Sequence, residues 1–149
     1  MKKIFLILLF VGSLFGETIG EMTFSNDYVK ILAQAKKENK RVYMLITSDR
    51  CKWCRKFESE TLTDWTVAEK LQEKYLLLHL DRDADFFPDR YKRKRVPRHY
   101  FLTPDEKVIS TFLGFWNIDD FNSYIDDVDW QYKDKVKKGI IIDETSTDK

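Results

Sequence analysis

Two cysteines, Cys51 and Cys54, are the only ones in the chain, and two residues separate them. The apolar run at 42–47 before the pair predicts a buried strand. Residues 48–50 are polar and offer a turn with helix-capping side chains. From Lys52 onward the apolar spacing becomes helical. The sequence therefore predicts that both cysteines lie where a strand ends and a helix begins.

This placement favours sulfur chemistry. The start of a helix leaves backbone N–H groups unpaired and carries a partial positive charge. Both effects stabilise a thiolate, which is the attacking species in disulfide exchange. We predict that Cys51 is the exposed attacker and that Cys54, one helical turn further on, resolves the mixed disulfide.

A zinc site and a structural disulfide are the alternatives. Zinc usually takes four ligands, and His79 and His99 lie far apart in the sequence rather than at zinc-finger spacing. A bridge that closes so small a loop restrains the unfolded chain by only about 2 kcal/mol or less. Redox exchange explains the pair better, and we expect neither a metal nor another bound cofactor.

The N-terminal segment 1–16 differs from the rest of the chain. A short basic start precedes an apolar run at 4–15, which is too short to span a bilayer comfortably. This pattern predicts a signal peptide, with cleavage after Gly16 or as late as Gly20, and hence an exported, periplasmic protein. Leu14 fits poorly three residues before the cut at Gly16, and an uncleaved membrane anchor is the alternative.

The remaining chain predicts one domain at 17–138 and a polar tail at 139–149. Its elements read helix, strand, helix, strand, helix, strand, strand, helix, which indicates an α/β fold with a mixed β-sheet flanked by helices. Residues 18–24 read as a linker, and Trp65 as a core or rim residue. The net charge of +1 gives no reason to expect nucleic acid, and we expect a monomer.

The strand, the Cys51-Lys52-Trp53-Cys54 motif with its helix, a Val-Pro pair about forty residues later, and a final hairpin and helix together resemble the thioredoxin superfamily. The resemblance covers about 25–128. Residues 51–58 and 60–62 look most like secreted bacterial thioredoxin-related proteins and the C-terminal domains of membrane electron-shuttling reductases. The resemblance implies a thioredoxin-like fold.

The resemblance also implies the substrate groove. Val96 and Pro97 would be joined by a cis peptide bond, with Pro97 facing the Cys51 sulfur and Val96 pairing its backbone with the substrate chain. Gly114 matches the family's glycine near this groove. Trp53 is predicted to lie partly exposed beside the sulfurs, as an apolar platform for the substrate.

Three positions depart from ordinary thioredoxins. Leu45 stands where those proteins carry a buried acid, Arg50 replaces a frequent aromatic residue, and Ser59 replaces the proline that kinks the helix. Proton removal from Cys54 then needs another route, for which Glu58 is a candidate proton relay. A solvated surface acid is the alternative interpretation of Glu58.

Cations surround the cysteines in the sequence. We predict that Arg50, Lys52 and Arg95 favour the Cys51 thiolate and an acidic partner surface. A solvated basic loop is the alternative for the stretch at 91–95.

The leading hypothesis is an exported thiol–disulfide oxidoreductase that reduces protein disulfides. The resemblance implies electrons from a membrane thiol reductase. A disulfide oxidant or isomerase, and a non-catalytic peptide- or metal-binding module of the same fold, are the alternatives.

Overall fold

The computed structural model of the protein describes residues 16–139. The predicted signal peptide, apart from Gly16, and the polar tail after Gly139 lie outside the described residues. The strands in the described range are β1 (Gly16–Ile19), β2 (Met22–Ser25), β3 (Arg41–Thr47), β4 (Tyr75–Asp81), β5 (Arg98–Leu102) and β6 (Val108–Leu113). The α-helices there are α1 (Tyr28–Glu38), α2 (Lys52–Glu60), α3 (Trp65–Lys74) and α4 (Ile118–Lys138), with a 3₁₀ turn at Asp89–Tyr91.

The strands form one mixed sheet in the order β1-β2-β4-β3-β5-β6. The central pair, β3 and β4, is parallel, while β5 runs antiparallel to both β3 and β6. This confirms the predicted mixed sheet and its hairpin. The register places Leu45 beside His79 on one side and beside His99 on the other. The turn after β3 therefore starts from the middle of the sheet, and it leads directly into α2.

The interpretation of residues 18–24 as a linker is wrong, because they belong to a β-hairpin. Strands β1 and β2 pair antiparallel at the edge of the sheet, and Met22 and Phe24 are fully buried. Gly20 turns the chain with φ 58°, and a Cβ there would lie 2.9 Å from the Cα of Thr63. Only glycine fits this left-handed turn against the backbone without strain.

Helices cover both faces of the sheet. Helix α1 buries Tyr28, Ile31 and Ala35 against one face. The other face packs against α2, α3 and α4, and Phe57 and Phe121 are both fully buried there. The placement of Trp65 in the core or rim is wrong, since the indole is 64% exposed. Trp65 opens α3 just after its Asp64 cap, and the buried side of that helix starts at Val67.

Capping residues define the ends of two helices. Asn117 caps α4 and Asp27 caps α1. Gly139 ends α4 in the left-handed conformation.

Candidate active site

The two cysteines lie at the start of α2, as predicted. Cys51 is the residue that caps the helix, and its Sγ accepts a hydrogen bond of 3.1 Å from the Cys54 backbone N–H. The two residues form a disulfide with their Cα atoms 5.2 Å apart. Cys51 is partly exposed, whereas Cys54 is fully buried. An incoming molecule can therefore reach Cys51 and not Cys54.

The loop at Val96 and Pro97 faces this disulfide. Their peptide bond is cis, as the resemblance implies, and the Cys51 Sγ lies 3.5 Å from the Val96 carbonyl oxygen. Gly114 donates its N–H to the Pro97 carbonyl at 2.9 Å. Gly114 has φ 101°, and no heavy atom lies within 4 Å of the place where a Cβ would stand. The glycine thus meets a backbone requirement and leaves the adjacent space open.

His99 supports this loop from inside the core. Its Nε2 lies 3.0 Å from the Gly114 carbonyl oxygen, and its Nδ1 lies 2.8 Å from the Tyr43 hydroxyl. Because the carbonyl only accepts, Nε2 carries the hydrogen and Nδ1 accepts from Tyr43. Complete burial lowers the pKa of His99 to about 3. The imidazole therefore stays neutral and holds its two partners in place near neutral pH.

A groove of about 450 Å³ opens in front of Cys51. It brings together the predicted groove residues Trp53, Val96 and Pro97, and the predicted cations Arg50 and Arg95. Lys52 is exposed on the first turn of α2 and is not among the residues that line the groove. The groove is further lined by Lys94, from the predicted basic stretch at 91–95, by Gly114, and by Ser48, Arg82 and Leu113, which were not predicted to form it.

Arg82 connects the basic stretch at 91–95 with the turn before Cys51 through hydrogen bonds. Its guanidinium donates to the Lys94 carbonyl at 2.7 Å and to the Ser48 hydroxyl at 3.4 Å, and it pairs with Asp83 at 3.1 Å. The sequence carried a signal for this role. Arg82 directly follows β4 and Ser48 follows β3, and the carboxyl ends of parallel strands share one edge of the sheet.

Trp53 stands at the rim of the groove with its indole 54% exposed. Its ring centroid is 6.0 Å from that of Phe115, and the Lys56 Nζ lies 4.7 Å from the Phe115 ring centroid. The two rings form an apolar surface beside the disulfide, which fits the predicted platform.

Glu58 lies on α2, one helical turn after Cys54. Its side chain is only 12% exposed, so the interpretation as a solvated surface acid is wrong. It pairs with Arg55 at 3.0 Å, while its other oxygen, Oε1, is buried without a hydrogen-bond partner. Burial raises the pKa of Glu58, although the charges of His79 and Arg55 oppose that effect. Its role as a proton relay stays a prediction.

No cluster of three or more His, Cys, Asp or Glu side chains within 16–139 has an arrangement that could hold a metal ion. In the same range, no helix is both long and apolar enough to cross a membrane.

Comparisons with known proteins agree with this geometry. Residues 28–129 match the family model of the thioredoxin-like domain. No curated protein matches the chain.

Several solved structures share the fold. A thioredoxin from Thermus thermophilus superimposes with a TM-score of 0.60 at 21% identity, covering 68% of this chain and 82% of that chain. The oxidised C-terminal domain of DsbD from Neisseria meningitidis gives 0.56 at 20% identity, with 66% and 90% covered. The periplasmic thioredoxin SoxS from Paracoccus pantotrophus gives 0.51 at 12% identity, with 62% and 99% covered. The chain belongs to the family of thioredoxin-like domains and, with the Cys51–Cys54 disulfide at the start of α2, it is an oxidoreductase of the thioredoxin-like type.

Proposed function

We propose that this protein is an exported thiol–disulfide oxidoreductase that reduces disulfide bonds in periplasmic proteins. The observation that carries the proposal is the asymmetry of the cysteine pair. Cys51 opens into the groove beside Val96, and Cys54 is fully buried behind it. An attacking sulfur needs access to its target, and a resolving sulfur needs access only to the attacking one.

The reaction starts from the reduced pair. The Cys51 thiolate attacks one sulfur of a substrate disulfide, so that a mixed disulfide forms and the first substrate sulfur leaves as a thiolate. Cys54 then attacks the Cys51 sulfur and displaces the second substrate sulfur. The substrate gains two electrons, and the Cys51–Cys54 disulfide forms. The Val96 carbonyl beside Cys51 can accept a hydrogen bond from an extended substrate chain in the groove.

Local charge favours the attacking thiolate. The Cys54 N–H donates to the Cys51 sulfur, and the N-terminus of α2 adds its partial positive charge. Arg50 and Arg95 line the same groove and add full charges, which also suit an acidic substrate surface.

Glu58 follows Cys54 by one helical turn, and helical side chains lean toward the preceding turn. We assign it the proton that Cys54 loses.

The similarity to a periplasmic thioredoxin supports the compartment. The resemblance of residues 51–58 and 60–62 to membrane electron-shuttling reductases supports the direction of electron flow. A membrane thiol reductase would return the pair to the dithiol form. We expect the protein to act as a monomer, since one chain supplies the disulfide and the groove.

Insulin reduction with dithiothreitol as the electron source tests the activity. We expect turbidity from reduced insulin to develop with the wild type and not with Cys51→Ser. Turnover by Cys51→Ser would contradict the assigned mechanism. Insulin binding without turnover in either protein would instead favour the peptide-binding module.

Equilibration with glutathione tests the direction. A reductase is expected to hold a potential close to that of thioredoxin, about −270 mV. A potential near −120 mV, typical of a strong oxidant, would contradict the reductase and support the disulfide oxidant.

A further inference from the structure

The sheet under α2 carries a histidine on each side of Leu45. Leu45 pairs with His79 in β4 and with His99 in β5. Residues at paired positions project from the same face of a sheet, so both imidazoles lie on the face covered by α2. His99 is fully buried in the core, and both of its ring nitrogens are hydrogen-bonded. His79 reaches the margin of the core, where polar groups surround it.

The partners of His79 fix the direction of its two ring nitrogens. Nδ1 lies 2.8 Å from the Glu17 Oε2, and Nε2 lies 2.8 Å from the Thr47 hydroxyl. A carboxylate only accepts, so Nδ1 carries a hydrogen and donates it to Glu17. Nε2 is then the nitrogen that gains or loses a proton. It lies 3.5 Å from the unpartnered Oε1 of Glu58, which a small side-chain rotation would bring into hydrogen-bond range.

A second cavity leads from this histidine to solvent. It has a volume of about 300 Å³ and is lined by polar residues from several elements, including Glu17, Thr47, Asp49, Arg55 and His79. The Glu17 side chain is 58% exposed. The turn at 48–50 separates the cavity from the groove, because Asp49 lines the cavity whereas Ser48 and Arg50 line the groove. Water in this cavity can reach His79 without passing a substrate in the groove.

We propose that His79 acts through Glu58: it takes the Cys54 proton from Glu58 and passes it to water in the second cavity, which the turn at 48–50 separates from the substrate groove. The proposal rests on the proposed function. As Cys54 bonds to the Cys51 sulfur and the substrate sulfur leaves with the electron pair, the Cys54 thiol proton goes to the Glu58 carboxylate. Glu58 then protonates Nε2 of His79. The imidazolium, paired with Glu17, gives its Nδ1 proton through Glu17 to water in the cavity, and exchange of the remaining Nε2 proton with cavity water restores the Nδ1–H form.

The charges around Glu58 determine the direction in which its pKa changes when His79 is replaced. Arg55 on α2 and His79 on β4 lower the pKa of Glu58, whereas burial, Glu17 on β1 and Asp49 raise it. Asp81 and Asp85 also line the cavity beside His79. A His79→Gln variant keeps a polar side chain but can neither take the proton from Glu58 nor become positively charged. Glu58 would then stay protonated to a higher pH and accept the Cys54 proton only above it.

Stopped-flow reaction of the reduced protein with excess 5,5′-dithiobis(2-nitrobenzoate) isolates the step. Cys51 releases the first thionitrobenzoate in a phase that depends on reagent concentration. The attack of Cys54 on the Cys51 sulfur releases the second in a concentration-independent phase. The rate of this second phase is measured from pH 5 to pH 9 in the wild type and the variants.

We expect Glu58→Gln to slow the second phase about a hundredfold near neutral pH. His79→Gln should move its acid limb upward by about one pH unit, which lowers the rate about tenfold on the acid side. In a Glu58→Gln background, His79→Gln should change the rate no further. Glu60→Gln, which alters an exposed acid on the same helix, is the matched control and should match the wild type.

A His79→Gln effect that is equal at every pH, or that persists in the Glu58→Gln background, would overturn the proposal. If His79→Gln does not fold, Glu17→Gln replaces it as the test, because Glu17 is the exposed partner of His79 in the proposed proton path. It should slow the second phase two- to fivefold, and only when Glu58 is present. Loss of the first phase in the wild type would overturn the proposed function and this inference with it, whereas a normal first phase with unaltered pH profiles overturns the inference alone.

Discussion

Replacing His99 with glutamine tests whether a buried neutral imidazole supports the substrate loop. The wild-type His99 bonds Tyr43 and Gly114 and stacks on Phe112 with the ring centroids 3.9 Å apart. Burial holds its pKa at about 3, below the ordinary 6.5 of an exposed histidine. On unfolding at mildly acidic pH the imidazole gains a proton that it lacks in the folded state.

The size of the effect follows from these two pKa values. The unfolded chain binds the extra proton, so this contribution to stability is intact above pH 6.5 and is lost as the pH falls toward 3. Between pH 7.5 and pH 5 the loss amounts to about 2 kcal/mol for this one residue. A glutamine does not titrate. We expect His99→Gln to be less stable at pH 7.5 but to lose about 2 kcal/mol less than the wild type on acidification to pH 5.

Urea unfolding of both oxidised proteins at pH 7.5 and pH 5, followed by tryptophan fluorescence, measures the difference. Other titrating groups are common to both proteins and cancel in the comparison. An equal loss of stability in the two proteins would refute the reasoning, because it would mean that His99 takes up no extra proton on unfolding.

Three further predictions concern stability. Phe57→Ala should lower the free energy of unfolding by about 3–5 kcal/mol in a denaturant titration, because Phe57 is fully buried and packs edge-on against Phe121; a loss below 1 kcal/mol would contradict its place in the core. Asp129→Asn should reduce the loss of stability below about pH 4, since hydrogen bonds from Lys133, Arg41 and Lys74 outweigh burial and hold the pKa of Asp129 well below its ordinary value; an unchanged acid limb in urea titrations would contradict this. Gly114→Ala should cost about 1–3 kcal/mol through its backbone alone, since φ is 101° and no neighbour contacts the new methyl; thermal unfolding at the wild-type temperature would contradict that strain.

Local patterns were sufficient to predict most of the site. The strand at 42–47, the polar turn and the helical spacing after Cys51 are adjacent in sequence, so their arrangement depends little on the rest of the chain. The cis bond at Pro97 and its position opposite Cys51 came from the family resemblance. The structure agrees with both.

The missed features depend on contacts between distant segments. The segment 18–24 is short and partly polar. It forms strands only because β2 pairs with β4 and buries Met22 and Phe24. The contacts of Glu17 and Glu58 with His79 follow from the sheet register and the packing of α2, neither of which local spacing encodes. Trp65 was misplaced because an aromatic residue at the first turn of a helix can face either side, and here Val67, Ala68 and Leu71 form the buried side of α3 while Trp65 is exposed.

The most direct test of the central claim is to identify the sulfur that bonds to a substrate. Cys54→Ser and Cys51→Ser are each reduced, incubated with disulfide-bonded insulin and analysed by peptide mass spectrometry. We predict a stable mixed disulfide at Cys51 in Cys54→Ser and no adduct in Cys51→Ser. An adduct at Cys54 in Cys51→Ser that forms as fast as the one at Cys51 would contradict the division of labour between the exposed and the buried cysteine.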